Sequence, residues 1–143
     1  MPNSLQPDLE ALNAYIAEVR DTPFQWHLFD CFMFTNTAFQ RMHGKGWADD
    51  WAGKYISETG LYKTKSQLIK TFGYNSLETA IDAKLKRINH VPPRGSLVTA
   101  LAPRRWAIDR ALGISIGTKA AFLGRSRLTF LPIQKIENAW VKT

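Results

Sequence analysis

The segment Phe24-Gln25-Trp26-His27-Leu28-Phe29-Asp30-Cys31-Phe32-Met33-Phe34 holds the only cysteine of this 143-residue chain. Aspartate is a favoured N-cap residue, so Asp30 predicts a helix that begins at Cys31. Apolar residues recur at helical spacing after it: Phe34, Ala38 and Met42. Gly44 is a typical helix stop, which bounds the predicted helix at 31–42. The dipole and free N–H groups of a first helical turn favour a thiolate, so the position predicts a lowered pKa for the Cys31 thiol.

A lone cysteine between aromatic residues also has a simpler interpretation. Next to Phe32 and Phe34, Cys31 fits a small buried hydrophobic residue with no chemistry of its own. The three histidines, at positions 27, 43 and 90, show no metal-ligand spacing with it. The sequence therefore predicts neither a metal site nor a cofactor, and other features must decide the role of the thiol.

Length and composition predict one domain over residues 1–143. Apolar residues make up 45% of the chain, which is enough for a core. No apolar run approaches the roughly 18 residues that a transmembrane helix needs, so no membrane span is expected.

Charge is unevenly distributed along the chain. Residues 1–60 carry four Lys/Arg against eight Asp/Glu, whereas residues 94–143 carry nine against two. A basic half favours an acidic partner, nucleic acid or an anionic surface, although a solvated sheet face gives the same pattern. Arg104, Arg105 and Trp106 interleave cations with an aromatic ring and form a candidate binding cluster. No nucleic-acid-binding motif accompanies them, so nucleic acid is not the favoured partner.

Periodicity predicts helices first and strands afterwards. The predicted helices are 7–20, 31–42, 64–72 and 76–88, with irregular structure or a short helix over 45–63. Short apolar and β-branched runs separated by glycine predict strands at 97–101, 111–116, 120–123 and 128–131. This order indicates an α+β domain with helices on one side of a small antiparallel sheet, here within residues 96–141.

Three motifs, in this order, resemble those of the NlpC-type papain-like cysteine peptidases. They are Trp26-x-x-x-Asp30-Cys31, which leads into the nucleophile helix, the strand opening Pro93-Arg94-Gly95-Ser96-Leu97-Val98, and the later strand Ala111-Leu112-Gly113-Ile114-Ser115-Ile116-Gly117. A branch of that superfamily in bacteriophage and prophage tail gene clusters is similar in length and often ends in a short strand with a tryptophan, as Ala139-Trp140-Val141 does. The resemblance implies a papain-like fold with Cys31 at the nucleophile position.

The resemblance also implies that the partners of the nucleophile are missing. The matching strand places the general base of the superfamily at Ala111, and the residue that orients it falls near Leu123. Neither side chain can accept a proton, so catalysis by Cys31 would need another base. Of the three histidines, His43 falls about 18 Å along the predicted helix, which leaves His27 and His90 as candidates.

Three functions follow as expectations. The first is a catalytically inactive structural protein of a bacteriophage tail tip or baseplate, with other tail proteins as partners. Its location would be the virion tail, after a stage in the host cytoplasm. The second is a peptidoglycan endopeptidase with Cys31 as nucleophile and His27 or His90 as base. The third is a basic nucleic-acid-binding accessory protein that uses arginines of the second half: Arg94, Arg104, Arg105, Arg110, Arg125 and Arg127.

Overall fold

The computed structural model describes residues 6–23, 29–55, 65–101, 110–124 and 126–142. The helices in these ranges are α1 Leu9–Val19, α2 Cys31–His43, α3 Lys65–Phe72 and α4 Leu77–Asp82, with 3-10 turns at Asp49–Trp51 and Ile133–Lys135. The strands are β1 Lys86–Ile88, β2 Leu97–Leu101, β3 Arg110–Ser115, β4 Lys119–Leu123, β5 Leu128–Pro132 and β6 Asn138–Val141. The α+β class and the N-terminal position of the helices are therefore confirmed.

Six antiparallel strands form one sheet in the order β1-β6-β2-β3-β4-β5. Strand β6 lies between β1 and β2, so it joins β1 to the rest of the sheet. At the centre of the sheet, Leu97 pairs with Trp140 on one side and with Ile114 on the other.

The helix predicted over 76–88 is wrong in its second half. Ser76 is the N-cap as predicted, and its side chain accepts a hydrogen bond from the N–H of Thr79. However, α4 ends at Asp82, and Lys86–Ile88 forms the edge strand β1 against β6. The sheet therefore begins before residue 96. Leu85 and Ile88 fit helical spacing, but pairing with a strand about 50 residues later overrides that local preference.

The predicted bounds of the first helix and of the cysteine helix need only small corrections. The first begins at Leu9, not at Pro7, because Asp8 is its N-cap and accepts a hydrogen bond from the N–H of Ala11. The cysteine helix begins at Cys31 as predicted and extends to His43. Gly44 ends it with a φ of 86°, the left-handed conformation that glycine adopts without a steric penalty.

Both faces of the sheet are covered. On one face α2 packs against β3, and alternate strand residues join the helices in the main core: Leu97, Leu112, Ile114 and Trp140. On the opposite face a second cluster contains Val98, Ala100, Ala120, Phe122 and Ala139, with Ile133 and Ile136 packed against it. Because both faces are buried, the sequences of these strands are nearly continuous apolar runs.

A buried polar network attaches the segment after α2 to the helix. Asn36, which is 2% exposed, donates a hydrogen bond to Asp49 Oδ1 at 2.8 Å and accepts one from the N–H of Ala48 at 2.9 Å. Gln40 also donates to Asp49 Oδ1, at 2.9 Å, from the exposed side. Gly46 lies so close to Asn36 and Asp49 that a side chain there would overlap them. The network therefore fixes residues 46–49 against α2.

Replacement of Asn36 by leucine tests this network. Asn36→Leu leaves the Ala48 N–H without its partner in the core, so we expect a loss of about 2–4 kcal/mol in the free energy of unfolding. The matched control is Gln40→Ala, which removes an exposed hydrogen bond to the same carboxylate and should cost less than about 1 kcal/mol. Urea unfolding of both variants measures the difference, and equal losses would contradict the role of Asn36.

Candidate functional site

The buried carboxylate of Asp30 fixes the start of α2. Its Oδ1 accepts a hydrogen bond from the N–H of Met33 at 2.9 Å, which is the N-cap geometry that the sequence predicts. Its Oδ2 accepts a second hydrogen bond, from the hydroxyl of Tyr55 at 2.7 Å. Asp30 is 2% exposed, so both bonds satisfy oxygens that water cannot reach. Cys31 is thereby held at the first position of the helix.

The Cys31 sulfur lies between the start of α2 and strand β3. Its backbone hydrogen bonds come from Leu112 on β3 and from the first residues of the helix, Cys31 and Phe32. The pairing of β3 with β4 runs from Gly113 to Ser115, so Leu112 lies one residue beyond it. The predicted juxtaposition of the thiol with this strand is therefore present, and the strand contributes a backbone group to it.

The pKa of the Cys31 thiol is raised, not lowered as its helical position predicts. Desolvation by the surrounding protein is the largest cause, and it raises the pKa from 9 to about 11 although the residue keeps some exposed surface. The backbone hydrogen bond from Leu112 acts in the opposite direction, and the carboxylate of Asp30 adds a further rise. At neutral pH the group is consequently a thiol, not a thiolate.

Neither histidine in the described residues lies beside Cys31. His43 is the last residue of the 13-residue helix that Cys31 begins, about 18 Å away at 1.5 Å per residue. His90 follows β1, which is three strand spacings, or about 14 Å, from β3. The ring of His90 is exposed, and its Nδ1 lies 3.0 Å from the carbonyl of Val91. His90 is therefore not placed to act as a base for Cys31.

The side chain of Ala111 faces away from Cys31. It packs against the cluster on the far face of the sheet, whereas its neighbour Leu112 belongs to the main core with α2. Successive strand residues point to opposite faces, so a shift of one residue reverses the side. The expectation of a vacant base position at Ala111 is thus corrected: a side chain there would not reach the thiol. Leu123, the expected position of the orienting residue, packs against the main core and is apolar.

Of the other candidate residues from the sequence, some lie outside the described part of the chain and others have ordinary surface contacts. His27, Arg104, Arg105 and Trp106 lie outside the described residues. Within the described ranges, no group of three or more His, Cys, Asp or Glu side chains is placed to hold a metal ion. No helix in the same ranges is long and apolar enough to cross a membrane. Arg94 is exposed and donates a hydrogen bond to the side-chain oxygen of Asn13 at 2.9 Å, which attaches the turn before β2 to α1.

Sequence reasoning missed several residues of the site. Tyr55 follows Trp47 and Trp51 at four-residue steps, and this spacing indicated only core packing, not a hydrogen bond to Asp30. Leu112 contributes a backbone group, which no side-chain pattern can reveal.

The thiol titration is a direct test of this geometry. Because burial favours the protonated form, the rate of Cys31 alkylation should rise with pH to a midpoint near 11, instead of the midpoint near 9 of an ordinary cysteine. Because the folded protein favours the protonated thiol, the contribution of Cys31 to the free energy of unfolding is complete below about pH 9. It is lost as the pH rises through about 11. Cys31→Ala gives the background rate. A midpoint below 8 would indicate an activated thiolate and contradict this assignment.

Comparison with known proteins places almost the whole chain in one family. A search of curated proteins gives no match. A protein-family model described as a domain of unknown function, DUF6950, matches residues 6–141. The chain therefore belongs to the DUF6950 family.

Proposed function

We propose that this chain is a papain-like domain of the NlpC type that has lost peptidase chemistry and serves as a structural component of a bacteriophage tail tip or baseplate. The observation that carries the proposal is the state of Cys31. The thiol lies at the start of α2 and next to a central strand, where the resemblance puts a nucleophile, but its raised pKa keeps it protonated at neutral pH.

The chemistry of amide hydrolysis explains why this state argues against catalysis. A cysteine nucleophile needs a base within about 2.6–3.2 Å, and the leaving amine needs a proton donor. In the described residues, His43 lies at the far end of the helix, and His90 follows β1, which is three strand spacings from β3. The charged side chain that acts on the thiol is Asp30, whose carboxylate opposes its ionisation.

The tail assignment is supported by the sequence resemblance and is compatible with the architecture. The C-terminal strand that resembles the phage branch is an integral part of the sheet, since β6 pairs with both β1 and β2. Trp140 on this strand is fully buried and donates a hydrogen bond to Asp82 at 2.7 Å. Asp82 also receives two hydrogen bonds from Arg87, which lies over the Trp140 ring. These hydrogen bonds join α4, β1 and β6, and a sheet held in this way is suited to a rigid structural component.

Cell-wall hydrolysis distinguishes this proposal from the endopeptidase alternative. On purified peptidoglycan we expect no release of soluble fragments by the wild-type chain or by Cys31→Ala, because burial keeps the thiol protonated and neither histidine in the described residues lies beside it. A known wall hydrolase on the same substrate is the positive control. Hydrolysis by the wild type that disappears in Cys31→Ala would overturn the inactive assignment.

Incorporation into particles tests the structural role separately. We expect an epitope-tagged chain, expressed from the phage genome that encodes it, to co-purify with intact virions and with detached tails. Cys31→Ala should be incorporated to the same extent, since assembly does not use the thiol, whereas deletion of β6 should abolish incorporation. Immunoblots of gradient-purified particles measure both results. A chain that is well expressed and folded but missing from particles would contradict the tail assignment.

A further inference from the structure

The loop between β1 and β2 carries the most exposed large hydrophobic side chain of the described residues. Val91 is 76% exposed, whereas the two other exposed large hydrophobic residues, Leu9 and Leu131, are 37% and 36% exposed. A single apolar side chain on a surface needs no explanation by itself. The structure of the loop therefore decides whether Val91 has a role.

The loop that carries Val91 is attached to the body of the protein. Pro92, the next residue, is buried. The carbonyl of Pro93 accepts hydrogen bonds from the N–H of Ser96 at 3.2 Å and from its hydroxyl at 2.7 Å. Gly95 closes this turn with a φ of 91°. Val91 is consequently presented to solvent next to a fixed turn.

Two consecutive prolines restrict the backbone at this point. Val91 and Pro92 each precede a proline, which disfavours the helical conformation, and each proline ring fixes φ near about −65°. Residues 91–93 belong to no helix or strand. These constraints favour a polyproline II conformation, which has three residues per turn. Because Pro92 faces the protein, the exposed side chains of Val91 and Pro93 form the two outward edges.

A fixed positive charge follows the two prolines. The Nη2 of Arg94 donates a hydrogen bond to the side-chain oxygen of Asn13 at 2.9 Å, and its aliphatic part lies beside Gly117. Arg94 is exposed and forms no ion pair with a residue in the described ranges. The guanidinium is therefore held next to Pro93 without a compensating carboxylate.

We propose that Val91, Pro93 and Arg94 form a docking ridge that fits a groove on a neighbouring tail protein, lined by aromatic side chains and with a carboxylate at its rim. Aromatic-lined grooves bind proline-rich segments in the polyproline II conformation, and a carboxylate is the usual partner of a guanidinium. A ridge that prolines and a closed turn already hold in shape loses little conformational freedom on binding. This inference rests on the proposed function, because it names the surface through which the chain attaches to the tail.

Competitive incorporation into particles tests the docking ridge on the full chain. The phage genome supplies the wild-type chain with one epitope tag, and a plasmid supplies a variant with a second tag in equal amount. The ratio of the two tags in purified particles, divided by their ratio in the lysate, gives the relative incorporation. A wild-type chain with the second tag is the reference, and circular dichroism confirms that each variant is folded.

The apolar part of the ridge is tested at Val91. We expect Val91→Ser to lower the relative incorporation about tenfold or more, the factor that corresponds to burial of a valine side chain. Val91→Ile keeps the apolar surface and should be incorporated like the wild type. Leu131→Ser is the matched control, because it removes an exposed apolar side chain from β5, outside the ridge, and should also leave incorporation unchanged.

The charged part of the ridge is tested at Arg94. We expect Arg94→Gln, which removes the charge, to lower the relative incorporation about twofold to fivefold, the range for an exposed ion pair. Asn13→Ala removes the internal hydrogen-bond partner of Arg94 but keeps its charge, so its incorporation should match the wild type. An unchanged ratio for Arg94→Gln, or an equal decrease for Asn13→Ala, would overturn the carboxylate rim.

An unchanged ratio for Val91→Ser would overturn the docking ridge, and Val91 would then be an isolated surface residue. An equal decrease for Leu131→Ser would also overturn it, because the effect would then belong to exposed apolar surface in general. Particles that lack the wild-type chain would overturn the proposed function and this inference with it. Particles that contain the wild-type chain and the Val91→Ser variant in equal measure would overturn the ridge alone.

Discussion

The buried carboxylate of Asp30 is the constraint on which the arrangement around Cys31 depends. One of its oxygens caps α2, and the other receives the hydroxyl of Tyr55 from the segment that follows the helix. The same segment is held again near the middle of α2 through Asn36 and Asp49. With the helix fixed at its start and along its length, its packing against β3 brings the sulfur of Cys31 to the backbone of Leu112.

Desolvation exceeds the helix dipole at this position. A rise of the thiol pKa from 9 to about 11 corresponds to roughly 3 kcal/mol in favour of the protonated form. A helix N-terminus typically stabilises a negative charge by about 0.3–1 kcal/mol. The backbone donors therefore moderate the cost of ionisation without reversing it. In active cysteine hydrolases an adjacent imidazole stabilises the thiolate and lowers the pKa of the thiol. The described residues around Cys31 do not supply one.

The parts of the fold that local sequence determines were predictable, and those that depend on distant pairing were not. Strand β2 was predicted at its observed bounds, and α2 at its observed start, because glycine signals, an N-cap and apolar periodicity all lie within a few residues. β1 was missed because Lys86–Ile88 becomes a strand only through β6. In the site, Asp30 and Cys31 were predictable from capping rules, whereas Leu112 acts through its backbone, which no side-chain pattern reveals.

The position of Ala111 shows that a motif match can identify the correct strand without giving the face to which each side chain points. The strand that the resemblance identifies does pass beside Cys31, but the side chain at 111 packs on the far face, and Leu112 takes the near one. A single substitution of Ala111 by histidine would therefore add an imidazole on the wrong side of the sheet. Among the described residues, the backbone hydrogen bonds to the Cys31 sulfur come from the first helical turn and from Leu112, and neither histidine lies beside it. Backbone donors of this kind favour a negative charge on the sulfur, but at this position burial outweighs them.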